Sequence, residues 1–386
     1  MQPGSPFLHS LHGGLYMKYD RILHTPEGVR DIYGEECARK HVLETALHAK
    51  MKLYGFEDIQ TPTLEYFDVF SEERGTFAAK DMYKLFDREG NTLVLRPDIT
   101  PSIARCVAKY YKDDRSSHRL CYTGNVFVNS SEHQGKAKEI TQMGAELTGD
   151  GSVVADAEML ALTVECLLAS GLTEFQVEVG QVGFFRAVVE EAGIRDDELE
   201  EMMLLINEKN AFGLEDFLDR VELKADLKGI FAKLPTMFGS VDKLAEFKGM
   251  TGNKAAIAAI ERLEQIYELM KLYGYEKYIS FDLGMLSQFG YYSGIIFNAY
   301  TYEIGDSLIS GGRYDNLVGQ FGCDVPAVGM AVFVDRLLTA VIRQDIAFDR
   351  QKPVECQTAP ARDYTDILKK VIEMRRNGTE AKIEIQ

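Results

Sequence analysis

The sequence lacks tryptophan, is short of positive charge and contains no long apolar run. Its 386 residues include 43 Lys and Arg against 60 Asp and Glu, which gives a net charge of −17 and a pI near 5.0. Proteins that bind nucleic acids neutralise phosphates with Lys and Arg, so this balance argues against tRNA as a partner. No apolar stretch approaches the roughly 18–20 residues of a membrane span, and we expect a cytoplasmic protein without a membrane partner.

Cysteine is also scarce. The six cysteines are far apart, none forms a Cys-x-x-Cys pair, and no set of Cys and His has the spacing of a zinc site. We therefore expect reduced cysteines and no metal centre.

The composition is 46% hydrophobic, which is typical of a folded globular protein. Residues 1–17 are rich in Gly, Pro, Ser and His and lack the features of a signal peptide, so we predict a disordered leader. A core is predicted over residues 18–345. It is interrupted at about 184–274 by an insertion with helical periodicity and no good strand pattern. Residues 351–386 are predicted to form a partial C-terminal α/β segment that opens with a polar linker at 351–362.

Strand patterns separated by hairpin signals predict an α+β core, with a large antiparallel sheet flanked by helices. Two strands at 120–128 and 139–147 enclose a polar loop. Residues 328–344 are predicted to form a helix.

Several residues are candidates for binding chemistry. Gln142 and Glu146 lie four apart on a predicted strand and therefore share a face, where their acceptors suit an ammonium group. A solvated polar face is the alternative. Asp98 and Thr100 are candidates both for site residues and for caps of the helix that follows Pro101, and the two roles can hold together.

Two further groups are ambiguous from the residues alone. Tyr291 and Tyr292 either line a site or pack in the core. Residues 311–315 form a Gly-rich stretch, predicted as a turn, that does not match a nucleotide-binding P-loop. Arg336 is equally suited to binding a phosphate and to pairing with Asp335 or another acid.

The chain resembles the class II aminoacyl-tRNA synthetases, and histidyl-tRNA synthetase most closely. The resemblance rests on several motifs in the family's order. They are TPEGVRDI at 25–32, LRPDIT at 95–100, the motif 2 hairpin at 120–146, Tyr291-Tyr292, SGGRYDNLVGQFG at 310–322 and the motif 3 sequence AVGMAVFVDRL at 327–337.

The resemblance implies a class II synthetase fold and a histidine pocket. In the family, the residues that match Gln142 and Glu146 hold the α-amino group of histidine. The implied histidine ligands are Asp98, Thr100, Gln142, Glu146, Tyr291 and Tyr292. Arg313 and Arg336 are implied as accessory residues.

The chain departs from the family where positive charge assists amino-acid activation. The family's arginine after Gly-x-x-Phe is Val128, a second activating arginine is Ser287, and the Arg-x-Arg pattern of the hairpin loop is Lys136-Ala137-Lys138. Asp98 replaces a glutamate and is one methylene shorter. Adenylation needs fixed positive charge where negative charge develops, so we predict that synthetase activity is lost.

A kept amino-acid pocket with a lost activation centre resembles the regulatory-subunit family of ATP phosphoribosyltransferase. This second resemblance implies a non-catalytic subunit, without catalytic residues or cofactor, that joins a short catalytic subunit in the first step of histidine biosynthesis. It also implies self-association through the core and histidine as a feedback effector. The alternatives are an active histidyl-tRNA synthetase and an orphan histidine sensor.

Overall fold

The structure is a computed structural model that describes residues 22–71, 77–114, 116–129, 137–286, 290–347, 355–359 and 365–385. The chain divides into two compact units, and the division follows Ile346. The predicted leader at 1–17 lies outside the described residues.

The strands fall into three sheets, of nine, three and two strands. Their bounds are β1 Glu57–Asp58, β2 Leu64–Tyr66, β3 Lys84–Phe86, β4 Thr92–Leu95, β5 His118–Phe127, β6 Glu139–Thr148, β7 Gln176–Gln181, β8 Phe238–Gly239, β9 Ile279–Asp282, β10 Ile295–Tyr300, β11 Ile309–Arg313, β12 Ala327–Phe333, β13 Glu355–Ala359 and β14 Ala381–Ile385.

Helices cover both the core and the insertion. Their bounds are α1 Gly34–Leu53, α2 Thr100–Tyr110, α3 Val153–Ala169, α4 Val182–Ala192, α5 Asp196–Asn207, α6 Ala211–Arg220, α7 Ala225–Lys233, α8 Asp242–Lys248, α9 Lys254–Tyr273, α10 Val334–Arg343 and α11 Thr365–Arg376. No helix within the described ranges combines the length and apolar character that a membrane span requires.

The large sheet has the order β1-β5-β6-β12-β11-β10-β7-β9-β8. Its pairings are antiparallel except for β1 with β5 and β7 with β9, which are parallel. The predicted fold class, an α+β core with a mostly antiparallel sheet flanked by helices, is confirmed. The long β5–β6 hairpin matches the two strands predicted around the polar loop.

The predicted helix at 328–344 is wrong in its first half. Residues Ala327–Phe333 form strand β12, which pairs with β6 on one side and β11 on the other, and the helix begins at Val334. β-branched residues such as Val328 and Val332 suit a strand in the middle of a sheet, and pairing on both edges satisfies their backbone groups.

The Gly-rich stretch predicted as a turn is also largely strand. Gly311 and Gly312 lie in β11, between β10 and β12. A Cβ at Gly311 would lie 2.3 Å from Phe297 Cζ and 2.4 Å from the Gly329 carbonyl oxygen. Glycine is therefore required by close packing across the sheet.

The insertion contains helices α4 to α9, together with one short strand, β8, that extends the large sheet beside β9. The insertion was expected to lack strands, and the two residues of β8 correct that expectation. In the second unit, β13 and β14 pair in parallel with α11 between them in sequence. Strand β13 falls within the stretch predicted as a linker, so that prediction is corrected. The strand depends on pairing with β14, about 25 residues later, and local periodicity does not reveal such a pairing.

Candidate functional site

A cavity of about 180 Å³ opens where the start of α2 meets strands β6, β11 and β12. All six predicted ligand residues line it, although they come from three separate parts of the chain. They are Asp98, Thr100, Gln142, Glu146, Tyr291 and Tyr292. Val128, Tyr314 and Arg336 line the same cavity.

Glu146 lies deepest, with 1% of its surface exposed. Its carboxylate accepts a hydrogen bond from Thr100 Oγ1 at 2.7 Å and another from the Tyr314 hydroxyl. Burial raises the pKa of Glu146 to about 8, although these hydrogen bonds oppose the shift. A buried carboxyl group of this kind favours a ligand that brings N–H donors and positive charge.

A glycine creates the space for Glu146. A Cβ at Gly329 would lie 1.6 Å from Glu146 Oε2, so no other residue fits at this position of β12. In the same way, a Cβ at Gly312 would lie 2.7 Å from Tyr292 Cε1. Because they have no side chain, these two glycines leave room on the sheet for the side chains of Glu146 and Tyr292.

Asp98 is the second buried carboxylate, with 8% of its surface exposed. It accepts the backbone N–H of Ile99 at 2.8 Å. Burial raises its pKa to about 6, against the effect of hydrogen bonds from the Ile99 and Thr100 backbone and from Tyr291. Capping alone does not account for these residues, because the cap position of α2 is Ile99 and the Thr100 hydroxyl bonds Glu146 instead.

Gln142 shares the face of β6 with Glu146 and has 6% of its surface exposed. Among the described residues, its Oε1 has no hydrogen-bond partner. Buried polar atoms are normally paired, so a free acceptor that faces a cavity indicates a missing donor. The alternative of a solvated polar face is wrong, since β6 is buried along most of its length.

The tyrosines form one wall. The ring centroids of Tyr291 and Tyr292 are 4.7 Å apart, and those of Tyr291 and Tyr314 are 6.0 Å apart. Tyr291 and Tyr314 also belong to a buried cluster with Ile99 and Ile103. This wall therefore packs against the core and also lines the cavity.

Positive charge is sparse around the cavity. Among the lining residues that the structure describes, Arg336 is the single cation, and Val128 contributes only methyl groups. The Arg336 guanidinium lies 4.2 Å from the Phe333 ring centroid and donates to the Ser307 carbonyl at 2.9 Å. Ser287 and Lys136 lie outside the described residues.

Arg336 does not pair with Asp335, which was one expectation. The Asp335 carboxylate binds Lys40 Nζ at 2.8 Å and the Thr141 backbone N–H at 2.8 Å. Asp335 and Arg336 are neighbours at the start of α10, so their side chains leave the helix in different directions. These contacts fix α10 against β6 and thereby fix the position of Arg336.

Arg313 lies outside the cavity lining. Its guanidinium is buried and binds Asp156 Oδ1 at 2.7 Å and Asp315 Oδ1 at 3.0 Å. Alternate residues of a strand face opposite sides, and Arg313 faces away from the side occupied by Gly312 and Tyr314.

Two positions were not predicted as site residues. Tyr314 bonds Glu146, and its place beside Arg313 in a Gly-rich motif gave no sign of this contact. Arg96 braces the hairpin, with Nε donating to the Asn125 carbonyl at 2.9 Å and Nη1 to the Thr61 carbonyl at 2.8 Å. Its position directly before Pro97 and Asp98 was the available signal.

The structure also gathers a His, an Asp and a Cys that are remote in sequence. Ligand atoms of His48, Asp58 and Cys121 lie within 4.8 Å of one another. Asp58 accepts from His48 Nε2 at 2.5 Å and from Lys52 Nζ at 3.1 Å. The ammonium group already neutralises this carboxylate and would repel a metal ion, so the contacts describe a surface hydrogen-bond cluster.

Comparison with known proteins shows the family to which the chain belongs. The sequence profile of the histidyl-tRNA synthetase family matches residues 28–337. The ATP phosphoribosyltransferase regulatory subunit of Ruminiclostridium cellulolyticum is 39% identical over 328 residues, which cover 85% of this chain and 78% of that protein. The chain belongs to the ATP phosphoribosyltransferase regulatory subunit family. Both resemblances drawn from the motifs are thereby confirmed.

Solved structures give the same result for the regulatory subunit family. A crystal structure titled as an ATP phosphoribosyltransferase regulatory subunit/histidyl-tRNA synthetase from Bacillus halodurans matches with a TM-score of 0.85 and 30% identity, covering 94% of this chain and 93% of that one. Histidyl-tRNA synthetase from Nostoc matches with a TM-score of 0.76 and 21% identity, covering 94% of this chain and 86% of that one. The second likeness concerns the fold alone.

Proposed function

We propose that this chain is the non-catalytic regulatory subunit of an ATP phosphoribosyltransferase, which binds histidine and transmits its presence to a separate catalytic subunit. The name shared by the curated relatives supports the enzyme and the regulatory role. The observation that carries the ligand is the cavity, which combines two buried carboxylates with an unpartnered amide oxygen. The predicted cytoplasmic location stays a prediction.

The donor requirement of the cavity supports histidine. Glu146, Asp98 and Gln142 present acceptors and negative charge, and the cavity holds only a small molecule. Histidine offers three ammonium hydrogens and an imidazole N–H, and its ring suits a wall of tyrosines. We expect binding in the micromolar to millimolar range, because the cation that would meet the ligand's carboxylate is replaced by Val128.

Loss of synthetase activity is part of the proposal. Transfer of an adenylyl group concentrates negative charge on the phosphate, and enzymes stabilise it with fixed cations. Val128 occupies one such position and Ser287 a second in the sequence. The acidic net charge of −17 likewise disfavours tRNA.

Self-association through the core is supported by an exposed apolar face. In the three-stranded sheet β2-β4-β3, the register places Tyr66 opposite Leu93 and Leu93 opposite Leu85, and Leu64 lies on the same face. Leu64, Tyr66 and Leu85 are exposed. Contiguous apolar faces on soluble proteins commonly mark interaction sites. Sedimentation velocity should therefore give a smaller species for Tyr66→Asp than for the unmodified chain.

The deciding experiment mixes this chain with the short catalytic subunit encoded in the same genome. ATP phosphoribosyltransfer is measured for each protein alone and for the mixture, with and without histidine. We expect activity only in the mixture, and inhibition by histidine that is weaker with Glu146→Gln. Glu139→Gln is the matched control, since Glu139 lies on the same strand but bonds Asn125 outside the cavity lining.

Two other results would each point elsewhere. If the catalytic subunit is equally active and equally inhibited alone, this chain is not its regulator, and a histidine sensor with another partner becomes the better hypothesis. If the chain alone charges tRNA with histidine, it is a synthetase.

A further inference from the structure

A buried charge cluster lies outside the cavity, where the core meets the last helix of the insertion. The carboxylate of Asp156, on α3, is completely buried and is shared by two arginines. Its Oδ2 accepts from Arg262 Nε at 2.6 Å, and its Oδ1 accepts from Arg313 Nε at 2.7 Å. Arg262 belongs to α9 of the insertion and Arg313 to β11, so one carboxylate joins three separate elements.

Arg313 connects Asp156 to the backbone next to the cavity. Its side chain packs beneath Gly294, where a Cβ would lie 3.0–3.2 Å from Arg313 Cδ, Cβ and Cγ. The Ser293 N–H donates to the Arg313 carbonyl at 2.8 Å, and the Asp315 N–H donates to Ser293 Oγ at 2.8 Å. Ser293 directly follows Tyr292. The backbone that presents Tyr292 is therefore held by the strand that Arg313 anchors.

The insertion holds the same segment from a second direction. Arg186, on α4, donates to the Tyr292 carbonyl at 3.2 Å. Helix α4 is in turn joined to the start of α9 by Asn253 Nδ2, which donates to the Ala187 carbonyl at 3.1 Å. The Arg186 contact ends on the tyrosine segment and the Asn253 contact on α4, and neither Arg186 nor Asn253 lines the cavity.

We propose that Arg262 is a positioning residue for the cavity: through Asp156 and Arg313 it couples the seating of helix α9 to the placement of Tyr292. The inference rests on the proposed function in so far as histidine is the ligand used to measure it. Occupancy of the cavity and the position of the insertion then bias each other, as reciprocal linkage requires.

The physical reason is the asymmetry of buried ion pairs. Asp156 is compensated by two arginines, and removal of one cation leaves a buried carboxylate that draws Arg313 into a different geometry. A planar guanidinium holds two acceptors at fixed angles, and Arg262 does so by donating also to the Gly151 carbonyl at 3.0 Å. An ammonium group keeps the charge and loses this second contact.

The test compares Arg262→Gln and Arg262→Lys with Lys248→Gln. Lys248, the last residue of α8, is the matched control. It pairs with two residues of α9, Glu261 at 3.1 Å and Glu264 at 3.0 Å, and does not contact Asp156. Histidine affinity is measured by calorimetry, and hydrogen exchange is followed at residues 290–294 without ligand. We expect histidine affinity to fall about 3- to 30-fold in Arg262→Gln, to fall less in Arg262→Lys, and to stay unchanged in Lys248→Gln.

A second background checks the route. In an Asp156→Asn chain, Arg262→Gln should add little further loss, because coupled residues are not additive. Wild-type exchange rates at 290–294 in folded Arg262→Gln and Arg262→Lys would overturn the inference, as would equal losses of affinity in Arg262→Gln and Lys248→Gln. If the unmodified chain binds no histidine, the proposed function fails, while faster exchange at 290–294 in the Arg262 variants still supports the coupling.

Discussion

Thr100 Oγ1 donates a hydrogen bond to Glu146 Oε1 at 2.7 Å, and this contact joins the start of α2 to the last part of β6. The Tyr314 hydroxyl bonds the other carboxylate oxygen. Glu146 is thus held by two neutral donors, and no cation among the described residues hydrogen-bonds it. The ionised form of Glu146 therefore needs a positively charged ligand to balance its charge.

Removing the charge of Glu146 should weaken histidine binding. Glu146→Gln nearly keeps the side-chain shape and loses the attraction for a positively charged ligand. Hydrogen bonds to charged groups contribute roughly 1.5–3 kcal/mol, so calorimetry should show a loss of about ten- to a hundred-fold. Glu139→Gln should bind like the unmodified chain. Equal affinity for histidine in all three proteins would place the site elsewhere.

Histidine affinity should rise with pH between about 6 and 8. In the empty protein, burial raises the pKa of Glu146 to about 8, so the group is mostly protonated at pH 6. A bound ammonium favours the ionised form and lowers that pKa, so binding releases a proton. Affinity should therefore fall as pH falls through about 8, by at most about tenfold per unit.

Calorimetry in buffers of different ionisation enthalpy measures this proton release directly. Glu146→Gln should lose the part of the release that belongs to Glu146, and the remainder reports the titration of the ligand and of Asp98. The same release in both proteins would show that histidine binding does not change the ionisation of Glu146 and would contradict the prediction.

A methyl group at Gly329 should abolish binding. Its Cβ would lie 1.6 Å from Glu146 Oε2, so Gly329→Ala must displace the carboxylate or the backbone of β12. Overpacking of this kind costs typically 1–3 kcal/mol of stability, which denaturant unfolding can measure. Gly305→Ala is the control, because a Cβ there meets no atom within 4 Å. Retained histidine binding in Gly329→Ala would contradict the assigned geometry.

The purified chain should not catalyse histidine-dependent exchange of pyrophosphate into ATP. Val128 and Ser287 replace two cations of the activation centre, and removing even one stabilising contact typically costs about 10²–10³ in rate. Radiolabelled pyrophosphate exchange provides the measurement, with an active histidyl-tRNA synthetase as the positive control. Exchange activity that copurifies with the chain and is removed by boiling would refute the loss of synthetase chemistry.

Secondary structure was predicted correctly from the sequence where the tertiary packing favours the same structure. The hairpin strands β5 and β6 were predicted within about two residues of their bounds, because they match the motif 2 hairpin of the family, although their apolar residues do not alternate perfectly. Helix α9 was equally clear, since an apolar residue recurs every three or four positions. In contrast, periodicity alone does not separate the buried strand β12 from a helix, because β12 is a short apolar run that continues directly into α10.

The amino-acid sequence by itself determined the fold class and indicated six of the residues that line the cavity, since motif order and residue identity are properties of the chain. It also revealed the two missing cations. Only the tertiary structure decided that Arg313 faces Asp156 and away from the cavity, that Tyr314 bonds Glu146, and that Gly329 makes room for that carboxylate. Contacts between residues over 150 positions apart depend on strand register and packing, and burial, which sets the pKa of Glu146, exists only once the chain has folded.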